Sequence, residues 1–168
     1  MRKMLIPAVV LLSFAGSVPV LIGQINAQEA SPTSIASVGV SAVLMGSTET
    51  DGAPGYTMYL QELTFEPGAN IPRHTHSGTV LVWVDTGALT FTVYAGELVV
   101  TRAPVGDAAG VVETFGAGEV AVLEPGDSSS EQGGEYMVDN ATDGTTKTRV
   151  ATLGKTGAPF LDFVQPEE

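Results

Sequence analysis

The chain contains no cysteine. That absence excludes disulfides, zinc knuckles, thiol nucleophiles and lipid-modified cysteine anchors. It leaves the compartment open, because an oxidising environment permits disulfides without requiring them. Histidine is almost as scarce, with His74 and His76 the only two. Once these are read as a pair, no histidine is left to serve a Ser-His-Asp arrangement. Bases are also few: seven Lys and Arg stand against nineteen Asp and Glu, for a net charge of −12. Two of the seven, Arg2 and Lys3, sit at the very start of the sequence. A surface this acidic repels phosphate backbones and anionic membranes, so nucleic acid is not an expected partner. No Gly-rich loop leads into a helical pattern, which removes the usual phosphate cradle.

Residues 1–27 have the form of a secretory signal peptide. Arg2 and Lys3 make a positive start, Met4 to Ile22 is apolar, and Ala27 offers a small residue for cleavage. The competing reading is a retained anchor helix, which Pro7, Gly16 and Pro19 weaken. On either reading the body of the protein is secreted, periplasmic or otherwise extracytoplasmic, with no membrane association unless the segment stays uncleaved. Residues 28–34 (QEASPTS) read as a flexible leader. Residues 35–168 are the right length for one domain with a real core.

From Ile35 onward the chain is a series of short apolar runs with turn signals between them, the signature of an all-β sandwich or barrel. The runs are 36–46, 56–66, 71–76, 79–84, 88–95, 97–102, 111–115, 119–123, 135–139 and 147–153. The turn signals include DGAPG at 51–55, PGAN at 67–70, DTG at 85–87, GAG at 116–118, PGD at 125–127 and ATDG at 141–144. In 88–94, Leu89, Phe91 and Val93 alternate with Thr90, Thr92 and Tyr94, as a half-buried strand does. The runs VLVWV (80–84) and VAVL (120–123) are apolar on both faces and need cover on both. For Trp83 that outer cover is either the chain itself or a second subunit. Residues 103–110 read as a surface loop, and Phe160, Leu161 and Phe163 as a last segment packed onto the barrel.

His74 and His76 are spaced i, i+2, which on a strand places both imidazoles on one face. Two converging imidazoles supply half of a first-row transition-metal site. Around them the spacing Gly68, five residues, His74, one residue, His76, ten residues, Gly87 resembles the first motif of the cupin family. The motif's Glu falls on Val80, or on Leu81 with the longer spacing. GEVAVLEPG at 118–126 resembles the start of the family's second motif, with Gly118 and Gly126 in place and Glu124 where the pattern has Pro. Counting on, the motif's His falls on Ser129. If residues are inserted through SSEQGGE, it falls instead on Tyr136, with Asn140 at the Asn position.

The resemblance implies a small jelly-roll β-barrel, the double-stranded β-helix of cupins, with a metal held inside by His74 and His76. The third ligand would be Tyr136 or Glu131. Glu135 and Asp127 are further acids in the same region. A single divalent transition metal (Fe, Mn, Zn, Ni or Cu) is the expected cofactor, and a metal-free barrel is the alternative. The expected function is binding of a small molecule, with metal-dependent dioxygenase or isomerase-like chemistry if the protein is an enzyme. The second reading is a non-catalytic binding or interaction module, and a homodimer is expected on either. Asn140-Ala141-Thr142 matches a glycosylation sequon, but its place in a cupin-like turn favours a structural role.

Overall fold

A computed structural model of the chain describes residues 37–164. The expected signal peptide 1–27 and the expected leader 28–34 lie outside the described residues. The described residues form eleven strands and no helix. They are β1 (Val38–Glu49), β2 (Tyr56–Thr75), β3 (Gly78–Thr86), β4 (Leu89–Ala95), β5 (Glu97–Thr101), β6 (Val112–Gly116), β7 (Val120–Leu123), β8 (Ser128–Gln132), β9 (Glu135–Asp139), β10 (Thr146–Lys155) and β11 (Asp162–Phe163). The order is β6-β5-β8-β3-β10-β2-β9-β4-β7, with β1 and β11 also paired to β2. Every pairing is antiparallel, and the sheet curls into the expected jelly-roll barrel.

Strand β2 joins the two halves of this barrel. Its first part lies between β1 and β10, and its second part pairs with β9 and β11. The sequence places a break at PGAN, yet β2 runs through it. Val38 pairs with Asn70 while Val40 pairs with Phe65, so residues 66–69 form a bulge within one strand. Gly68 makes the bulge with φ of 73°, a conformation open to glycine. Its N–H donates to the Asn140 carbonyl at 3.0 Å, and Asn140 N–H donates to the Ala69 carbonyl at 2.8 Å. The second motif glycine, Gly87, also has positive φ, and a Cβ there would collide with Thr146.

The second difference is β8. The polar run SSSEQ follows the PGD turn directly as a strand between β3 and β5. The residues between PGD and Tyr136 are therefore this strand and the turn before β9, where the sequence reads a loop. Ser129 lies on β8, and Tyr136 lies on β9 opposite His74.

The core follows the period-2 pattern. Val80, Val82 and Val84 of β3, Leu89, Phe91 and Val93 of β4, and Leu98 and Val100 of β5 are all buried. Leu81 and Trp83 point the other way and remain about half exposed, at 52% and 55%. The chain thus gives Trp83 no outer cover among the described residues. Asn140 is buried at the β9–β10 turn. Its amide donates to the carbonyls of Phe65, Glu66 and Gly144 at 3.0, 3.1 and 2.8 Å, and its Oδ1 accepts from Thr142. Its role in the turn is structural, as expected.

Candidate metal centre

His74 lies near the end of β2 and His76 one residue beyond it. Their rings meet edge-on, with centroids 4.8 Å apart. Each Nδ1 faces a backbone carbonyl, that of Pro72 for His74 and that of Phe160 for His76, both at 2.8 Å. A carbonyl only accepts, so each Nδ1 carries a proton and donates it. That fixes the tautomer and directs each Nε2 lone pair elsewhere, the arrangement that orients metal-bound histidines.

Glu131 supplies the third donor. It stands on the inward face of β8, paired with Val80 on β3 and Leu98 on β5. Its carboxylate is buried and lies 3.1 Å from His76 Nε2. One ligand atom from each of His74, His76 and Glu131 fits within 4.8 Å of the others. The remaining acids of the region are engaged elsewhere. Glu135 pairs with Arg73, at 2.6 Å from its Nε. Asp127 accepts from Arg102 Nη1 at 2.8 Å and from the N–H groups of Ala103 and Glu124.

Tyr136, the other candidate third ligand, is spoken for. Its buried hydroxyl donates to the Glu97 carbonyl at 2.7 Å. Burial, then the nearby Glu131 charge, pushes its pKa up, away from the phenolate that a metal would need. Of the two alternatives, the structure brings Glu131 to the histidines. Sequence reasoning named Glu131 without any spacing to single it out.

The two histidines are held in different states. Burial and the positive charge of His76 lower the His74 pKa, outweighing the Pro72 carbonyl and Glu131. His76 also suffers burial, but the Glu131 hydrogen bond and charge outweigh it, helped by the Phe160 carbonyl and Asp162, and its pKa rises. The His76 Nε2 faces the Glu131 carboxylate at 3.1 Å, and the contact is an ion pair when the ring is protonated. Two imidazoles and a carboxylate form the donor set of non-haem iron and catalytic zinc sites. The residues therefore fit a divalent transition ion.

The C-terminal segment closes over this group. β11 pairs with Thr75 and His74, and Val164 N–H donates to the Arg73 carbonyl at 3.0 Å. Phe160 places its ring edge-on to Tyr59 at 4.7 Å. Further along the inward face of β8, the Ser129 hydroxyl is buried with no protein partner.

The His-x-His pair, the bulge glycine Gly68, the turn glycines Gly87, Gly118 and Gly126, and the turn Asn140 thus all occupy the barrel positions their motifs imply. The fold is a cupin-type barrel. Solved structures similar to it include a cupin 2 domain-containing protein from Halorhodospira halophila, with TM-score 0.47 and 12% identity over 77% of this chain and 71% of that one. Another is the polyketide cyclase RemF from Streptomyces resistomycificus, with TM-score 0.43 and 14% identity over 79% and 75%. A third is a cupin domain from Bordetella pertussis, with TM-score 0.34 and 17% identity over 68% and 93%. These are likenesses of fold alone. No family model and no curated protein matches the sequence.

Proposed function

We propose that the barrel binds one divalent transition metal through Nε2 of His74, Nε2 of His76 and the Glu131 carboxylate, and uses it to bind a small molecule. The observation that carries this is the convergence of three donors within 4.8 Å, with both Nδ1 groups tied to carbonyls. A metal held by three protein ligands keeps positions free for a small molecule or oxygen, and it supplies Lewis-acid or oxygen-activating chemistry when bound. The unpartnered Ser129 hydroxyl offers a nearby polar contact for such a molecule. If the protein is an enzyme, the donor set suits a dioxygenase or an isomerase.

Elemental analysis of the purified protein tests this. Near-stoichiometric metal in the parent, lost in a His74→Ala, His76→Ala variant, is the expected result. One observation favours a second reading: the His76–Glu131 pair is internally satisfied without an ion. No metal in the parent after incubation with a panel of divalent ions selects that metal-free binding barrel.

We also propose export, supported by the pattern of residues 1–27. N-terminal sequencing of protein from the extracytoplasmic fraction is expected to begin at Gln28. A chain found only inside the cell would reject export.

A further inference from the structure

The three converging donors are shielded from solvent. His74 is 2% exposed, and the side chains of His76 and Glu131 keep 10% and 3%. The surface grooves beside Glu49 and beside Trp83 include none of the three. Groups buried this way meet a solute only when part of their cover moves. Much of that cover is fixed. β8, which carries Glu131, has a paired neighbour on each side, β3 and β5. The end of β2, which carries His74, lies between β9 and β11.

The piece held least is β11 and the chain that leads to it. β11 is two residues long and pairs with β2 alone, Asp162 opposite Thr75 and Phe163 opposite His74. Opposed residues of a ladder share a face, so Phe163 stands on the side of His74. Three further bonds tie residues 159–164 down. The Val164 N–H donates to the Arg73 carbonyl at 3.0 Å, His76 Nδ1 donates to the Phe160 carbonyl, and the Ser77 hydroxyl reaches the Pro159 carbonyl at 3.4 Å. Phe160, Leu161 and Phe163 are only partly buried. The chain just before this segment is anchored. Thr156 N–H donates to the Gly55 carbonyl at 2.9 Å, and the Thr156 and Thr57 hydroxyls meet at 3.0 Å. Between anchor and segment, Gly157 has φ of 78° and open space where a Cβ would stand.

We propose that residues 159–164 are a gate. They swing about the Gly157 turn while the barrel stays folded, and a solute reaches His74, His76 and Glu131 through the opening. The gate also carries part of the site, because the Phe160 carbonyl leaves His76 Nδ1 when it lifts. The centre is entered open and completed shut. This holds for an ion and for any other small occupant, so it does not depend on metal binding.

The chain has no cysteine, so one engineered bridge is unambiguous. Thr75 and Asp162 oppose one another in the β2–β11 ladder. Opposed Cα atoms of such a ladder lie about 4.5–5.5 Å apart, within disulfide reach. In a Thr75→Cys, Asp162→Cys protein, oxidation locks the gate and reduction frees it. The readout is carbethoxylation of the histidines by diethyl pyrocarbonate after removal of reductant, counted by mass spectrometry. Both histidines belong to the site, so every modified ring reports on it. Oxidation is expected to slow modification at least about tenfold against the reduced form, because the barrel itself must then open. In the parent, the Val164 amide hydrogen is expected to exchange well before those of β10. Phe160→Ala keeps the carbonyl and removes the ring set against Tyr59. It should speed modification about tenfold, and it serves if the bridge does not form. Equal rates in the oxidised and reduced forms would overturn the proposal, since solutes then enter by another route. So would a Val164 amide that exchanges only together with β10, or a Phe160→Ala protein modified at the parent's rate.

Discussion

Val80 and Glu131 stand opposite one another across the β3–β8 ladder, both buried and both directed into the barrel. In the cupin motif that the sequence resembles, the carboxylate position falls on Val80, or on Leu81 with the longer spacing. In this chain valine stands there, and the neighbouring strand returns a carboxylate to the same interior layer. The site therefore keeps a negative donor, although its motif lacks one.

Glu131→Gln preserves shape and removes the charge. Metal content is expected to fall at least tenfold, comparable to removing either histidine and larger than the effect of an outer-shell change. Retention of full metal by this variant would remove Glu131 from the ligand set. A Val80→Glu, Glu131→Val exchange asks whether the layer matters more than the strand, and partial recovery of metal is the expected answer.

With only two histidines, the metal-free protein gives a simple proton NMR titration. His74 should titrate below its ordinary 6.5 and His76 above it. The stability consequences have opposite signs. The raised His76 contributes stability that is complete below pH 6.5 and lost as pH climbs through its folded pKa. The lowered His74 contributes stability present above 6.5 and lost as pH falls through its folded pKa. From these two groups, stability of the metal-free protein should peak near pH 6.5. Glu131→Gln should bring the His76 midpoint down and remove the loss on the alkaline side. An unmoved His76 midpoint would contradict the pairing.

Tyr136→Phe separates the two candidates for the third ligand. It leaves the Glu97 carbonyl without its donor and should cost about 1 kcal/mol in a urea melt. Metal content should not change. A loss of metal equal to that of Glu131→Gln would restore the phenol as a ligand.

Asn140→Ala removes the amide that ties the β9–β10 turn to the β2 bulge. Three carbonyls, one of them on the buried Phe65, lose their donor together, so a loss of roughly 2 kcal/mol is expected by denaturant unfolding. A loss under about 1 kcal/mol would mean that water replaces the amide.

A stop after Gly157 removes the Phe160 carbonyl and the two-residue β11 but leaves the main ladders intact. Metal affinity should fall about ten- to a hundredfold through the loss of His76 orientation, with the far-UV spectrum little changed. Binding as tight as in the full chain would show that the carbonyl does not position the ring.

Most of the barrel was legible in the sequence because apolar alternation is legible. Leu89, Phe91 and Val93 announce a strand with one wet face, and burial follows that pattern. β8 was not legible, for a physical reason: its inward residues are Ser129 and Glu131, so a strand with polar groups on its buried side has the composition of a loop. The third ligand was obscured with it, because its place depends on the strand being there. PGAN misled in the opposite sense. Its turn residues do bend the chain, but cross-strand pairing continues on both sides and absorbs the bend as a bulge. The His-x-His pair needed only the period of a strand, and it is the part of the site that the sequence shows directly.

The acceptor that holds His76 comes from residue 160, eighty-four positions further along the chain. During synthesis, both imidazoles emerge long before that carbonyl exists. A half-made chain therefore carries histidines whose tautomers are not yet set, and Glu131 arrives between the two events. The binding centre matures only when the C-terminal segment has left the ribosome and folded back over it. On the proposed function, an ion would accordingly be loaded late, after the finished chain has folded.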